Sequence, residues 1–269
     1  TPSAHLRGTL RDLANGLHAG AAVLSGVKGI EEGTHRRMSE VVEEETHCRM
    51  SEVIAQELPG RRVAVLSGPN LAREIAAGKP AGSVVASEAA ELASEMAGLL
   101  ASDRFRVYTN PDVVGVELCG ALKNVVALAA GMVDGLGFGD SAKAGIITRG
   151  LAEMTRLGVA AGAHPLTFAG LAGVGDLIAT CMSPLSRNRR AGELMGGGLA
   201  WAEAAGRLNG VAEGVSTVRG AQALAAQHGV ELPIANQVAA VVHEARPPMT
   251  AVAALMARER KDELAGLPA

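Results

Sequence analysis

The stretch VVGVELCGALKNVVALAAGMVDGL, from Val113 to Leu136, decides the fold of this chain. A helix of about 24 residues would span roughly 36 Å, the width of a domain, and a helix that is apolar on every side is usually buried. Lys123 and Asn124 lie in its middle, on turns otherwise lined by apolar residues. Because an unpaired buried ammonium is costly, Lys123 either extends to solvent at the helix edge or faces a cleft as a catalytic lysine beside Asn124. The stretch alone leaves both interpretations open.

The composition excludes several classes of protein. Apolar residues make up 48% of the 269 residues, which is typical of a folded chain. A net charge of −3 and only 2% aromatic residues argue against nucleic-acid binding. No uninterrupted apolar run reaches the roughly 18 residues that cross a bilayer, so we expect no membrane insertion. The chain shows no signal peptide. It begins Thr-Pro-Ser without Met, so we expect a trimmed N-terminus or a missing front portion.

The cysteines predict a reducing compartment and no metal site. Cys48, Cys119 and Cys181 are far apart in the sequence and show no metal-ligand spacing. Their number is odd and the short-spaced pattern of a disulfide framework is absent, which favours the cytoplasm.

A short segment occurs twice. THRRMSEV at residues 34–41 is followed by THCRMSEV at residues 46–53. Two copies are too few for a solenoid, so we interpret the repeat as a local insertion that either extends a helix or bulges out as a loop. His35 and His47 of the two copies would form at best a weak metal pair.

Two kinds of periodicity divide the chain near Thr109. Before this point, short apolar runs lead into glycine-containing turns and then helices, a βα pattern that predicts a parallel sheet. The predicted strands are residues 21–25, 62–66, 82–86 and 105–109. Beyond Thr109 almost no strand pattern remains. We therefore expect an α/β domain over residues 1–110 and an all-helical domain over residues 111–269.

The loops that follow the predicted strands carry polar candidates. Lys28 lies in the turn SGVKG after the first strand, at the edge where open α/β sheets bind ligands. It is a candidate contact for an anion or a carbonyl, or simply a loop lysine in water. Gly68 and Asn70 follow the second strand at the start of a helix, where free backbone N–H groups can receive an anion or a cofactor amide. Ser87 is predicted to cap the helix over residues 88–100.

The helical half carries a cluster of polar residues at suggestive spacing. Asp176 and Thr180 are four residues apart, so on a helix they share one face. Ser186 is predicted to cap a helix that starts with Arg187 and Asn188, where a cation, an amide and free N–H groups would converge as a phosphate requires. The alternative is that the arginines of SRNRR form only a solvated face.

Two further turns precede helices in this half. The glycine-rich run from Gly135 ends at Ser141, which is predicted to cap a helix over residues 142–158. No strand precedes this run, so it is not a dinucleotide-binding fingerprint. Glu213 lies in the tight turn GVAEG and is either a ligand contact or a helix-start charge.

In combination, these motifs resemble the bacterial NAD(P)-dependent glycerol-3-phosphate dehydrogenases. The resemblance rests on SGVKG, LSGPNLAREIAAG, the run from GVELCGALKN to TRGLAEM, LAGVGDLIATC, SRNRRAG and GVAEG, which occur in the same order and cover most of the chain. ALKN alone fits a wider group of hydroxyacid and sugar-acid dehydrogenases, whereas ALKN with GDLIATC and SRNR is far more specific. Three features depart from the family. Asn70 stands where a smaller residue is usual, the repeat is unexpected, and no G-x-G-x-x-G turn is present.

The resemblance implies a Rossmann domain whose front is absent here, holding NAD or NADP, and a helical domain holding the substrate. It implies hydride transfer between nicotinamide and C2 of glycerol 3-phosphate or dihydroxyacetone phosphate, supplying glycerol phosphate for phospholipid synthesis, with Lys123 as general acid/base. The predicted substrate contacts are Lys28, Gly68, Asn70, Lys123, Asn124, Asp176, Thr180, Ser186, Arg187 and Asn188. The implied cofactor contacts are Lys28, Ala72, Arg187, Val211 and Glu213.

Two alternatives to this function remain open. The chain could be a related dehydrogenase that acts on a hydroxy acid, with the arginines binding a carboxylate. It could also be a cofactor-incompetent fragment that binds a phosphorylated triose or pairs with a partner. The apolar helical half favours a homodimer.

Overall fold

A computed structural model of the chain describes residues 5–14, 16–18, 20–30, 49–260 and 262–263. The strands are β1 (Val23–Ser25), β2 (Val63–Ser67), β3 (Ala81–Ala86) and β4 (Phe105–Asn110). The helices that accompany them are α1 (Leu6–Ala14), α2 (Met50–Glu57), α3 (Ala72–Ala76) and α4 (Ala90–Leu100).

The rest of the described chain is helical. After α5 (Val113–Gly135) come α6 (Gly139–Ala160), α7 (Pro165–Ala169), a π-helical turn (Leu171–Gly175), α8 (Asp176–Met182), α9 (Arg187–Gly196), α10 (Trp201–Gly206), α11 (Gly214–His228), α12 (Pro233–Glu244) and α13 (Pro248–Met256). The predicted class, a Rossmann-like sheet followed by a helical region, is confirmed.

The sheet is mixed rather than parallel throughout, which corrects the prediction for one pair of strands. Its order is β1-β2-β3-β4, and the outer pairs β1/β2 and β3/β4 are parallel as expected. β2 and β3 run antiparallel, with Val65 opposite Ala86. A parallel return needs a crossover that packs on a sheet face. The connecting α3 has only five residues and buries none of them, so the chain turns back at the same edge of the sheet.

Helix α5 is the centre of the core. Nearly all its side chains are buried, from Val113 to Val133, and it contacts α6, α8, α9, α11 and α12. By length and composition this helix could cross a membrane, which corrects the expectation that no apolar segment was long enough. Because 83% of its most apolar window lies inside the protein, it has the burial of a core helix.

Glycines bring α5 and α9 into backbone contact. A Cβ atom at Gly131 would overlap the carbonyl oxygen of Arg189, and one at Gly192 would overlap the carbonyl oxygen of Leu128. Gly135 and Gly196 extend the same contact by one helical turn, each towards the C-terminus of its own helix. Since no side chain separates the two backbones, the position of α9 relative to α5 is fixed closely.

A buried carboxylate joins α2 to α5. Glu117 of α5 accepts hydrogen bonds from the Ser51 backbone N–H at 3.0 Å and the Ser51 hydroxyl at 2.8 Å. The Arg49 guanidinium, which precedes α2, lies 3.2 Å from the same carboxylate. The second copy of the repeat therefore begins α2 and attaches it to the long helix. The first copy, with His35, and His47 of the second copy lie outside the described residues.

Two predicted helix caps are wrong. Helix α6 begins at Gly139, so Ser141 lies inside its first turn. Helix α4 begins at Ala90, and the Ser87 hydroxyl instead accepts from the Ala89 N–H at 3.3 Å and donates to the Val63 carbonyl at 3.1 Å. In both cases, other backbone hydrogen bonds set the first turn of the helix.

Candidate active site

Lys123 lies in the middle of α5 and points into the protein. Only 6% of it is exposed, so the interpretation that it extends to solvent is wrong. Its ammonium group donates to the Asp176 carboxylate and, at 2.8 Å, to the Thr180 hydroxyl. Asp176 and Thr180 share one face of α8, as their spacing predicted, and that face is turned towards Lys123.

Asp176 joins two lysines from distant parts of the chain. Its second carboxylate oxygen lies 2.6 Å from the Lys28 ammonium, in the loop after β1. Lys28 also donates to the Gly68 carbonyl at 3.3 Å. Gly120, one turn before Lys123, lies against the Lys28 side chain, since a Cβ there would be in ordinary contact with Cγ of Lys28 at 3.5 Å. The loops after β1 and β2 thus meet the face of α5 that carries Lys123.

The surroundings of Lys123 lower the pKa of its ammonium group. Burial among apolar side chains, with a further contribution from Lys28, lowers the pKa of its ammonium from 10.5 to about 7, against the opposing effect of Asp176. A group with a pKa near the working pH can both donate and accept a proton. The arrangement is therefore suited to general acid/base chemistry.

Two asparagines connect α5 to the start of α9. The Asn188 amide donates to the Asn124 side-chain oxygen at 2.9 Å and accepts from the Gly214 N–H at 2.9 Å. Ser186 is the N-cap that the sequence predicted, since its hydroxyl accepts from the Arg189 N–H at 3.2 Å. The first turn of α9 is consequently held against Asn124, the residue that follows Lys123 in α5.

Arg187 lies on the same side of the molecule as the two lysines. Its guanidinium crosses Gly210, whose φ is 111° and where a Cβ would lie 2.6 Å from Nη1. Burial raises the pKa of the Glu213 carboxyl, and Arg187, Lys28 and Lys123 each oppose that shift. The Glu213 carboxylate therefore interacts electrostatically with the three cations, so the four charged groups lie in one region of the molecule.

The loop after β2 contributes unsatisfied polar atoms to this region. The Asn70 amide nitrogen donates to the Ser83 hydroxyl at 2.9 Å, whereas its side-chain oxygen is buried with no hydrogen-bond partner among the described residues. The Ser67 hydroxyl is likewise buried without a partner in the described part of the chain, and a Cβ at Gly120 would lie 3.0 Å from it. Buried orphan atoms are costly unless a ligand or water meets them, so this loop is suited to binding one.

The remaining predicted contacts flank the site. Ala72 starts α3 directly after the loop that carries Gly68, and Val211 is 56% exposed in the turn that carries Glu213. The sequence analysis did not single out Ser67, Gly120 and Gly214. In the sequence, the small residues on both sides of ALKN were the only indication that β2 and α11 approach α5 closely.

Family comparisons agree with this geometry. The model described as NAD-dependent glycerol-3-phosphate dehydrogenase C-terminus matches residues 112–253, and the corresponding N-terminus model matches residues 1–93. This chain belongs to the NAD-dependent glycerol-3-phosphate dehydrogenase family. The C-terminal match begins one residue before α5, which carries Lys123.

Similar proteins support the same membership. The glycerol-3-phosphate dehydrogenase [NAD(P)+] of Thermobifida fusca is 50% identical over 266 residues, which cover 99% of this chain and 76% of that protein. The one from Symbiobacterium thermophilum is 52% identical over 263 residues, 97% of this chain and 73% of that protein. The crystal structure of the Coxiella burnetii enzyme is 38% identical with a TM-score of 0.87, covering 96% of this chain and 75% of that one.

Proposed function

We propose that this chain catalyses the NAD(P)-dependent interconversion of glycerol 3-phosphate and dihydroxyacetone phosphate, which supplies glycerol phosphate for phospholipid synthesis. Its relatives carry the name of this reaction. The observation that carries the proposal is the ammonium of Lys123, buried between Asp176 and Thr180 with a pKa of about 7. An acid/base group of this kind is what a carbonyl-to-alcohol conversion at C2 requires.

The residues around the site fit a nicotinamide cofactor. The Glu213 carboxylate, largely buried, is a suitable acceptor for a carboxamide, and the exposed Val211 side chain gives an apolar contact for a ring. Lys28, Ala72 and Arg187 complete the proposed set. When bound, NAD or NADP supplies or takes the hydride, and the protein supplies orientation and the proton.

The proton step belongs to Lys123. In the reducing direction, its ammonium donates a proton to the oxygen on C2 as negative charge develops there, which leaves a neutral amine and a secondary alcohol. Asp176 orients the ammonium while favouring its charged form, and Thr180 accepts its second hydrogen bond. In the oxidising direction the neutral amine accepts the alcohol proton, which the pKa of about 7 permits at neutral pH.

The phosphate end of the substrate is assigned to the start of α9. Arg187 offers a guanidinium, and Ser186 and Asn188 hold the helix N-terminus whose free N–H groups favour an anion. Because the Asn188 amide is already bonded to Asn124 and Gly214, its side chain positions this turn. Lys28, Gly68 and Asn70 approach the other end, near Lys123. Binding energy gained at the phosphate thus serves to orient C2.

Steady-state turnover of the full chain tests the assignment. Lys123→Met is expected to lower kcat by about 10²–10⁴, because it removes the general acid. Arg187→Ala is expected chiefly to raise KM for dihydroxyacetone phosphate, whereas Arg190→Ala, a neighbouring exposed arginine paired with Glu193, serves as its matched control. Near-normal turnover in Lys123→Met removes this lysine from the mechanism.

Two measurements separate the alternatives. Titration with NADH and NADPH, followed by nicotinamide fluorescence, shows whether the 269-residue chain holds the cofactor, and absence of binding would favour the cofactor-incompetent fragment. A higher kcat/KM on a three-carbon hydroxy acid than on the phosphorylated triose would favour the related dehydrogenase. The domain roles of residues 1–110 and 111–269, the cytoplasmic location and the homodimer stay predictions.

A further inference from the structure

A cavity lies between α6, α12 and α13. Its volume is about 1120 Å³, large enough for a small organic ligand. Its walls are mostly apolar, formed by Val133, Ile146, Val159, Val230, Ile234, Val252, Leu255 and Met256. None of the residues that line it belongs to the site around Lys123, so the cavity is not an extension of that site.

Three arginines line this apolar cavity. Arg149 and Arg156 lie two turns apart on α6, and Arg258 follows α13. Glu153, which lies between the first two on α6 and also lines the cavity, uses its carboxylate to accept hydrogen bonds at the start of α12. There its carboxylate accepts from the Ile234 N–H at 2.7 Å and the Ala235 N–H at 3.3 Å. The carboxylate nearest to the arginines in sequence is thus committed to capping a helix.

One of these arginines lacks a hydrogen-bond partner. Arg258 pairs with Glu231 at 2.9 Å, and Arg149 donates to the Glu263 carbonyl at 2.9 Å. Arg156 makes no hydrogen bond and no close ion pair with any residue in the described ranges. It is half-buried, and burial lowers the pKa of its guanidinium. Glu153 and Glu231 act on this guanidinium only through their charge, so its donors, which meet no acceptor in the described ranges, favour an anionic partner that can accept hydrogen bonds.

The acidic residues at the cavity restrict the charge of that partner. Glu231, Glu259, Asp262 and Glu263 are all exposed and lie at its rim. An anion with several charges would be repelled by this rim, whereas a ligand with one charged head and an apolar body would pass it. The head would then meet Arg156, and the body would cover the apolar wall.

We propose that this cavity binds an amphipathic anion, composed of a hydrocarbon body and a single carboxylate head that pairs with Arg156. The apolar walls define the body, and the unsatisfied guanidinium defines the head. The proposal is independent of the function proposed for the Lys123 site, since the two sites share no residue.

Calorimetric titration of the full chain with octanoate tests this site, and octyl phosphate, which carries nearly two charges near pH 7, should bind more weakly because the rim of the cavity is acidic. Arg156→Gln is expected to weaken binding at least about tenfold, because a charge-assisted, bidentate contact is lost. Arg219→Gln, an exposed arginine of α11 that does not line the cavity, is the matched control and should bind as the parent does. Octanol, which lacks the charge, should bind more weakly than octanoate.

Three results would overturn the proposal. The first is no binding of octanoate up to about 1 mM, a concentration that detects even weak association. The second is equal binding by the Arg156→Gln and Arg219→Gln variants. The third is loss of binding in Arg187→Ala with retention in Arg156→Gln, which would assign the ligand to the catalytic site.

Two further measurements cover the case in which Arg156→Gln does not fold and the case in which the cavity is an interface between two copies. If Arg156→Gln fails to fold, Arg156→Lys replaces it, because lysine keeps the charge and loses the bidentate geometry, so binding should weaken but persist. If neither anion binds and Leu255→Glu converts a dimer into a monomer in sedimentation, the cavity is an interface between two copies and the proposal is wrong.

Discussion

The lowered pKa of Lys123 makes a prediction about folding that does not depend on turnover. Burial and Lys28 lower the pKa of this ammonium from 10.5 to about 7 in the folded protein. In the unfolded chain it keeps its ordinary pKa, so between these two values the unfolded state holds a proton that the folded state has released. The free energy of unfolding attributable to this group therefore rises with pH across that window, and the full penalty of the buried charge is present at lower pH.

The size of the effect follows from the shift. At about 1.4 kcal/mol per pKa unit, the displacement corresponds to roughly 5 kcal/mol over the whole window and about 3 kcal/mol between pH 7 and 9.5. Lys123→Met removes the titrating group while keeping a side chain of similar length. Asp176 does not become an orphan in this variant, because Lys28 lies 2.6 Å away.

Urea unfolding of the parent and Lys123→Met at several pH values measures the difference. The variant is expected to be more stable than the parent at pH 7, and the gap should narrow by about 3 kcal/mol by pH 9.5. Lys79→Met, at a lysine whose side chain is 62% exposed, is the control and should show no such change. If the gap between the parent and Lys123→Met is the same at every pH, Lys123 has an ordinary pKa in the folded protein and the reasoning about its acid/base role fails.

Three other perturbations have defined outcomes. Asp176→Asn removes the carboxylate that favours the charged form of Lys123, so urea unfolding should show a cost of about 3–5 kcal/mol at pH 5, where the ammonium is protonated, and a smaller cost at pH 8; a loss below about 1 kcal/mol at pH 5 contradicts the buried pairing. Gly131→Ala drives α9 away from α5 and should cost about 1–3 kcal/mol or more and raise KM, whereas Gly145→Ala, with open space around it, should be neutral or stabilising; similar thermal shifts in both variants would refute the close contact. Deletion of residues 34–45 retains the whole second copy of the repeat, so thermal stability and kcat should be unchanged. Loss of folded protein would show that the first copy contributes to the structure.

Local patterns predicted the parts of the structure that depend on local forces. The apolar run around Lys123 predicted a long buried helix, the spacing of Asp176 and Thr180 predicted a shared face, and Ser186 predicted a cap. These features follow from helix geometry and capping chemistry, which act over a few residues. The roles of these residues in binding and catalysis rest on the family resemblance and stay predictions.

Other features depend on contacts that the sequence pattern does not contain. Lys28 reaches Asp176 from 148 residues away, and nothing in the turn SGVKG distinguished it from a loop lysine in water. The antiparallel pairing of β2 and β3 depends on how α3 packs, which its five residues do not reveal. The Asn70 side-chain oxygen is left without a partner among the described residues because the amide nitrogen donates to the Ser83 hydroxyl, a contact that the sequence pattern does not reveal.

The glycine contact between α5 and α9 has a consequence for selectivity. In the proposed function, α5 carries the proton donor Lys123 and α9 carries the phosphate-binding residues at its N-terminus, and the two helices touch main chain to main chain. The separation of the two functional ends is therefore set by polypeptide geometry, which cannot relax by a rotamer change. If the proposed site is correct, this fixed separation matches one span from C2 to the phosphorus, and we expect the site to reject homologues that are one methylene longer or shorter.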